Sequence, residues 1–418
     1  MTTLFVNAAE IVTCSGPPRA RRGGEMSDAA VRSGVGIAVS EEGKILAVAP
    51  DAELRAAHSS ATVVDCEQGV LTPGFVDSHT HAIFGRARYE EQEMRAAGVG
   101  YLEIAKKGGG IHSSVRDLRE RSEEDLTALA AARLRRLAAH GTTTIEVKSG
   151  YGLSLESELR TLRVIKRLGK ELPVRLVPTF LGAHEIPLEY REAPRTRADY
   201  LALVINEMLP AVARDGLARF CDVFCEPGVY TVDESRQLLT AARAHGFGLK
   251  LHADELENGA AAELAAELAA TSADHLAAIS PAGIAALAQA GTVATLLPGT
   301  MLFLGRTKQA PARALLDAGC AIALASDFNP GTSPTVNFPL VLTLGVSQLK
   351  LSVAEAFVAA TVNGAAALGL AGDVGQLAPG FQADIALFDV SDHRELPYWY
   401  GDRRCTGTWV AGRPAHVE

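Results

Sequence analysis

The sequence predicts an α/β protein: a (β/α)8 TIM-like barrel with a small composite β-sandwich domain built from both termini. Three observations lead there. Short β-like pieces crowd the first 68 or so residues and return after about residue 366. Between them, apolar strand-like runs alternate eight times with helical stretches rich in Ala, Leu, Glu and Arg. Ionisable residues gather just past the C-terminal ends of those runs, where barrels of this kind carry their chemistry. One domain is expected over 69–365 and the other over 1–68 together with 366–418.

Taken in order, the N-terminal pieces are Leu4-Phe5-Val6, Gly36-Ile37-Ala38-Val39, Ile45-Leu46-Ala47-Val48 and Thr62-Val63-Val64, set apart by turns such as Glu41-Glu42-Gly43-Lys44. Residues 15–34, with Pro17-Pro18 and the basic run Arg19 to Arg22, read as an exposed, solvated loop. The barrel strands are expected at 70–78, 142–148, 174–180, 218–224, 247–252, 271–275, 292–297 and 320–326. Helices are expected at 123–139, 156–169, 197–214, 233–245, 260–269, 281–290 and 311–318. The Ala-rich 260–269 is near low complexity but consists of strong helix formers. Strand–turn pieces at 380–389 and 408–412 then answer the N-terminus, and the two ends are expected to pair.

Composition narrows the function. With 48% hydrophobic and 21% charged residues, the chain has the make-up of a globular enzyme. A net charge of −9 provides no basic face for nucleic acid, while leaving room for a local cation that grips a small anion. No apolar run reaches the ~18 residues of a membrane span, and the N-terminus lacks the pattern of a signal peptide. Six cysteines in a chain this long do not form a disulfide framework, so a cytoplasmic location is expected. Cys221 and Cys225 read as small buried hydrophobes.

The chemistry starts at Phe75-Val76-Asp77-Ser78-His79-Thr80-His81. Residues i and i+2 of a strand face the same side, so His79 and His81 project together as two ligands for one metal. Alone, an H-x-H is more often a pair of satisfied histidines. The later strand ends change that balance: Leu251-His252-Ala253-Asp254-Glu255, Ser272-Ala273-Asp274-His275 and Ser326-Asp327-Phe328-Asn329 carry the other ligand types. Five of the eleven histidines fall on such ends. His79, His81, His252 and Asp327 make a set suited to one Zn2+ or Fe2+ holding a water. Glu255 is placed to move protons at the attacked nitrogen, and His275 to orient or deprotonate the water. Taken singly, Asp327 caps a turn and His275 satisfies a barrel hydrogen bond. Arg88 is a fork for a carboxylate, although a lone loop Arg is usually a surface residue. Tyr151 and His184 divide evenly between packing and ligand contact. Gly108-Gly109-Gly110 lacks the Lys-Ser/Thr of a phosphate loop and reads as a flexible loop near the site.

At this point the chain resembles the amidohydrolase superfamily and, within it, the imidazolonepropionase family of histidine degradation. The broad likeness rests on the histidine–aspartate set in a barrel flanked by a composite β domain. The narrower one rests on Gly108-Gly109-Gly110-Ile111, Glu146-Val147-Lys148-Ser149-Gly150-Tyr151-Gly152-Leu153, Ser272-Ala273-Asp274-His275-Leu276, Thr295-Leu296-Leu297-Pro298-Gly299 and Asp327-Phe328-Asn329-Pro330-Gly331-Thr332-Ser333-Pro334. The resemblance implies His79, His81, His252 and Asp327 as metal ligands. It implies Arg88, Tyr151, His184, Glu255 and Thr332 as contacts to 4-imidazolone-5-propanoate, and Asn329 and Gly331, with Tyr151, as contacts to the opened product. The reaction it implies is hydrolysis of the ring amide by a metal-activated water to give N-formimidoyl-L-glutamate, in a homodimer. Two positions depart from the family pattern: Ser78 replaces a proline and Phe328 a cysteine, and neither removes a chemical group. The fourth strand, ending near Cys225-Glu226-Pro227, offers no lysine for carboxylation, which favours one metal over two.

Two rival readings stand beside this one. A cytosine- or guanine-type deaminase shares His252, Glu255, His275 and Asp327 but has no need of a carboxylate clamp. A non-catalytic scaffold on the same barrel is expected to have lost ligands, and none is missing here.

Overall fold

The computed structural model describes residues 1–99, 103 and 109–417. Eight parallel strands run in sequence order around a barrel: Phe75–Asp77, Thr142–Lys148, Arg175–Ala183, Phe220–Cys225, Gly248–Ala253, Ser272–His275, Val293–Leu296 and Ile322–Leu324. They fall within a few residues of the expected runs, because each is an apolar stretch bounded by a helix and a turn. Helices return the chain between strands. Five of them start on capping hydroxyls: Ser122 accepts from the Asp125 amide, Ser154 from Ser157, Thr196 from Asp199, Thr231 from Glu234 and Ser280 from Gly283. The helix at 197–214 forms as Arg197–Leu203 and Leu209–Arg214 joined through a π-helical turn at Val204–Met208.

The run 70–78 is not one strand, as expected, but two. Val70–Pro73 pairs with Glu10–Val12 and Ile385–Phe388, whereas Phe75–Asp77 opens the barrel beside Thr142–Lys148. Gly74 makes the change of sheet, since a Cβ there meets Thr143 Cγ2 at 2.1 Å. Both halves are fully buried, so hydrophobicity is continuous across the break.

The terminal pieces form two sheets. One has four strands, ordered Ile45–Ala49, Gly36–Val39, Thr3–Val6 and Thr62–Asp65. The other has six, ordered Arg413–Val417, Cys405–Val410, Ile385–Phe388, Val70–Pro73, Glu10–Val12 and Val31–Arg32. Phe5, Ile37 and Ile45 of the first pack on Ile11, Leu71, Ile385 and Trp409 of the second, with the Phe5 and Trp409 rings edge to face at 4.9 Å. The two ends of the chain thus build one sandwich. Among the described residues, no helix is long and apolar enough to cross a membrane.

The first and eighth barrel strands do not pair along their length. The segments just beyond them close the barrel instead: Asp327 donates its amide to the His79 carbonyl at 3.0 Å, and His81 donates to Phe328 at 2.8 Å. Asp77 takes the Ser326 amide at 2.9 Å from one carboxylate oxygen and the Ser326 hydroxyl on the other. This seam runs directly into the candidate site.

Candidate metal centre and active site

Because the side chains of a strand alternate, His79 and His81 point to one side at the top of the first strand, as their spacing predicts. The structure brings His252 and Asp327 to the same point. His81 Nε2 and His252 Nε2 are 3.4 Å apart, and Asp327 Oδ1 lies 3.6 Å from Nε2 of both His79 and His81. Donors bound about 2.0–2.1 Å from a tetrahedral ion lie roughly 3.3 Å from one another, so this spacing fits one metal. His79 Nε2 is buried without a hydrogen-bond partner, and it faces the same point as the Nε2 atoms of His81 and His252, as donors to a shared cation do. The four residues therefore fit a single divalent ion.

Electrostatics agree. Burial first, then the neighbouring Lys148 and histidines, hold His79 well below the usual imidazole range. Burial and the neighbouring His184 and His252 do the same to His81, and neutral imidazole is the form that can bind a metal. Asp327 is pushed up to about 6 by burial, opposed by the Thr300 hydroxyl that donates to its Oδ2 at 2.6 Å. Asp327 holds a φ of 52° and His275 one of 80°; such left-handed conformations at bulky residues cluster at functional sites.

Behind the ligands lie carboxylates that sequence reading missed. Asp274 Oδ2 sits 2.7 Å from His79 Nδ1, and Asp222 Oδ2 sits 3.0 Å from His252 Nδ1. The first contact is a hydrogen bond that fixes the His79 ring so that Nε2 faces the centre, and the second is an ion-pair approach behind His252, whose Nδ1 makes no hydrogen bond among the described residues. Lys148, wholly buried, lies 2.9 Å from Glu146 and 2.7 Å from Asp222. Burial works to lower the Lys148 pKa, but Asp222, Glu146 and Asp274 outweigh it and raise it. A lysine or aspartate within an apolar run reads by default as a surface residue. The one available signal was register: Asp222 and Asp274 occupy barrel strands, each two residues or fewer from a strand end.

The two residues expected to move protons stand beside the four candidate ligands. His275 Nε2 is 3.7 Å from Glu255 Oε2, and the His252 and His275 ring centres are 5.2 Å apart. Burial first, with Asp327 and Glu226 adding to it, raises Glu255 well above the usual carboxylate range. Glu226, which ends the fourth strand where no lysine was found, accepts the amides of Glu255, Leu256 and Glu257 at 3.0, 3.0 and 2.7 Å. It thereby shapes the turn that carries Glu255.

On the opposite flank, the His184 ring stacks on His81 at 4.9 Å, and Tyr151 lies 5.3 Å from His184. The Tyr151 loop is held by Glu158, whose carboxylate accepts the amides of Gly150, Gly152 and Leu153. Asn329 folds its own turn, accepting the amides of Gly331 and Thr332, each at 2.8 Å, and donating to the Thr332 hydroxyl at 2.8 Å. Arg88 lies over that turn. Its Nε is buried without a hydrogen-bond partner, and its closest acid is Glu91 at 3.7 Å. Glu91 also accepts the Gly110 amide at 2.7 Å, the residue that precedes the helix Ile111–Glu120. Gly108, part of the glycine run, lies outside the described residues. At the two departures from the family pattern, the Ser78 carbonyl accepts from Lys250 at 3.3 Å and the Phe328 ring packs edge-on against Phe84.

The arrangement can hold a divalent cation, move protons at Glu255 and His275, and grip an anionic tail at Arg88. A sequence profile of the amidohydrolase family matches residues 103–416. The chain is 48% identical to the imidazolonepropionase of Symbiobacterium thermophilum, over 95% of this chain and 93% of that protein. It is 45% identical to the imidazolonepropionase of Solibacter usitatus, over 98% and 97%. Among solved structures, E. coli guanine deaminase superposes with a TM-score of 0.77 at 16% identity, covering 100% of this chain and 99% of that one. A zinc-bound adenosine deaminase from Xanthomonas campestris gives a TM-score of 0.74 at 20% identity, covering 99% and 93%. At these identities the deaminases share the fold, and the full-length relatives carry the family.

Proposed function

The chain belongs to the amidohydrolase family and, within it, to the imidazolonepropionases; on that premise we propose that it hydrolyses the ring amide of 4-imidazolone-5-propanoate to N-formimidoyl-L-glutamate in histidine degradation. The observation that carries the reading is the convergence of His79, His81, His252 and Asp327 at donor spacing, with the buried Arg88 guanidinium close enough to act electrostatically on Tyr151 and His184 beside them. Those four residues would hold a single Zn or Fe ion, which when bound would polarise the ring carbonyl and lower the pKa of the attacking water.

The chain's own residues do the rest. Arg88 takes the propanoate with two parallel charge-assisted bonds and so fixes which ring edge enters. Tyr151 and His184 flank the ring, and the Asn329 turn, with Gly331 and Thr332, receives the opened product. His275 takes a proton from the water as oxygen joins the ring carbonyl carbon. Glu255, whose carboxyl burial pushes above the usual range, delivers a proton to the ring nitrogen as the carbon–nitrogen bond breaks. One water is consumed: its oxygen ends in the new carboxylate, one proton is gained by the freed nitrogen and the other leaves to solvent as the acid ionises, and His275 returns its proton to Glu255, 3.7 Å away, to reset the pair.

The test adds metal-loaded protein to freshly generated imidazolone propionate and follows loss of the ring's ultraviolet absorbance, with Arg88→Ala and His252→Ala alongside. Rapid loss in the wild type, a raised KM in the first variant and no turnover in the second support the assignment. No loss in the metal-loaded wild type overturns it. Metal analysis of the purified protein distinguishes Zn from Fe. The six cysteines, all buried and free, support the cytoplasmic location in this reading, and the homodimer of the family is checked by light scattering.

A further inference from the structure

Beneath the four candidate ligands lies a buried ionic layer that the proposed reaction does not use. Glu146 and Lys148 from the second strand, Asp222 from the fourth, Lys250 from the fifth, and Ser272 and Asp274 from the sixth meet inside the barrel. The side chains of Glu146, Lys148, Asp222, Lys250 and Asp274 are wholly excluded from solvent. Charges at such a depth persist only when paired and aimed.

We infer that Lys148 is the positioning residue of the metal site: acting chiefly through Asp222, and secondarily through Asp274, it holds His252 and His79 with Nε2 turned to the ion. The inference rests on the metal reading proposed above. Its geometry is a two-step relay. Lys148 Nζ donates to Asp222 Oδ2 at 2.7 Å, and that same oxygen lies 3.0 Å from His252 Nδ1. Lys148 Nζ is also 3.7 Å from Asp274 Oδ2, the oxygen 2.7 Å from His79 Nδ1. One ammonium thus stands behind two of the histidines at once.

The two carboxylates are not equally dependent on it. Asp274 has further support: the Ser272 hydroxyl donates to its Oδ1 at 2.6 Å, and Lys250 Nζ lies 3.5 Å from its Oδ2. Asp222 accepts the backbone amides of Val223 and His252 on Oδ1, at 2.7 and 3.1 Å, which leaves Oδ2 to the Lys148 bond, with His252 Nδ1 at 3.0 Å from it. Among the described residues, Lys148 is the one lysine or arginine within ion-pair reach of Asp222. Without it, the oxygen facing His252 loses the bond that aims it, and the ring is free to turn. A compact ammonium with three donors suits a point where three carboxylates converge, whereas a planar guanidinium does not.

The test separates positioning from support of the fold. Lys148→Met with Glu146→Gln removes one cation and one carboxylate together, so the core keeps its charge balance. Zinc affinity is measured by competition with a chelating dye, and the cobalt-substituted protein supplies a visible spectrum that reports ligand geometry. The expected result is zinc affinity weakened 10- to 100-fold, with an altered cobalt band, in a protein that still melts cooperatively. Affinity within threefold of wild type and an unchanged band overturn the inference. Should that variant not fold, Lys148→Met is placed on Asp222→Asn, again preserving the balance. Because Lys148 acts chiefly through Asp222, the pair should bind zinc within threefold of Asp222→Asn alone, itself weaker than wild type. A further tenfold loss, or wild-type affinity in Asp222→Asn, overturns the inference. Wild-type protein that takes up no stoichiometric metal refutes the metal reading instead and is recognised before any variant is made.

Discussion

Gly331→Ala tests the placement of Arg88 without touching a charged group. A methyl carbon built on Gly331 falls 1.2 Å from Arg88 Nη2 and 2.2 Å from Cζ. Carbon and nitrogen come no closer than roughly 3.5 Å without cost, so the guanidinium must retreat by about 2 Å. A bond of ordinary length does not survive that displacement. The obstacle is the far end of a flexible side chain, and Gly331 is not in the left-handed region, so the fold accommodates the methyl. Losing a two-pronged grip on a carboxylate, partly offset by water, costs about 2.7 kcal/mol, or roughly a hundredfold in kcat/KM. Because the tail is remote from the bond that breaks, most of the loss should appear in KM. The assay is the decay of ring absorbance over a range of substrate concentrations, alongside a thermal melt. Arg88→Ala should match Gly331→Ala, and the double variant should be no worse than either. Wild-type KM in Gly331→Ala, with an unchanged melt, would show that Arg88 does not hold the tail and sink the reasoning.

Four further outcomes are expected. Glu255→Gln should lower kcat by about 10²–10⁴ while the melt stays put; turnover within fivefold of wild type removes Glu255 from proton transfer. Chelating the metal should lower the melting temperature by at least a few degrees, since binding to the folded state alone stabilises it; superposable melts with and without chelator count against the site. Gly364→Ala brings a Cβ to 2.6 Å from the Val76 carbonyl, so Val362–Ala366 must shift away from the first barrel strand, at about 1–3 kcal/mol in denaturant unfolding; an unchanged midpoint contradicts the packing. His140 is lowered to about 4, first by burial and then by Arg403 and Arg136. Between about 4 and the ordinary imidazole value the unfolded chain holds the extra proton, so stability falls as pH drops through that window. The share of this one ring is on the order of 1 kcal/mol after solvent screening, and His140→Gln should flatten the melting-temperature slope there.

Much of the site was legible because strand periodicity and barrel geometry act locally. His79 and His81 share a face by alternation, and strand ends place His252, His275 and Asp327 above the barrel whatever the helices do. What was not legible depends on contacts between distant segments. The turn of the chain at Gly74 answers to Thr143, and nothing within 70–78 announces it. Asp222, Asp274 and Lys148 acquire meaning only when neighbouring strands set them side by side in register. Glu226 and Glu158 act by collecting backbone amides, and no motif encodes that work.

The seam of the barrel bears on how the protein comes into being. His79 and His81 close the barrel through backbone bonds to Asp327 and Phe328, so the candidate ion sits where the first and last strands meet. His81 and Asp327 are separated by roughly 250 residues, which a ribosome adding about 5–20 residues per second takes roughly 10–50 s to make. Over that interval the nascent chain holds first two and, after residue 252, three of the candidate ligands, with no Asp327 carboxylate to complete them. The four candidate ligands therefore come together only once synthesis has passed the eighth strand and the two edges have met in register.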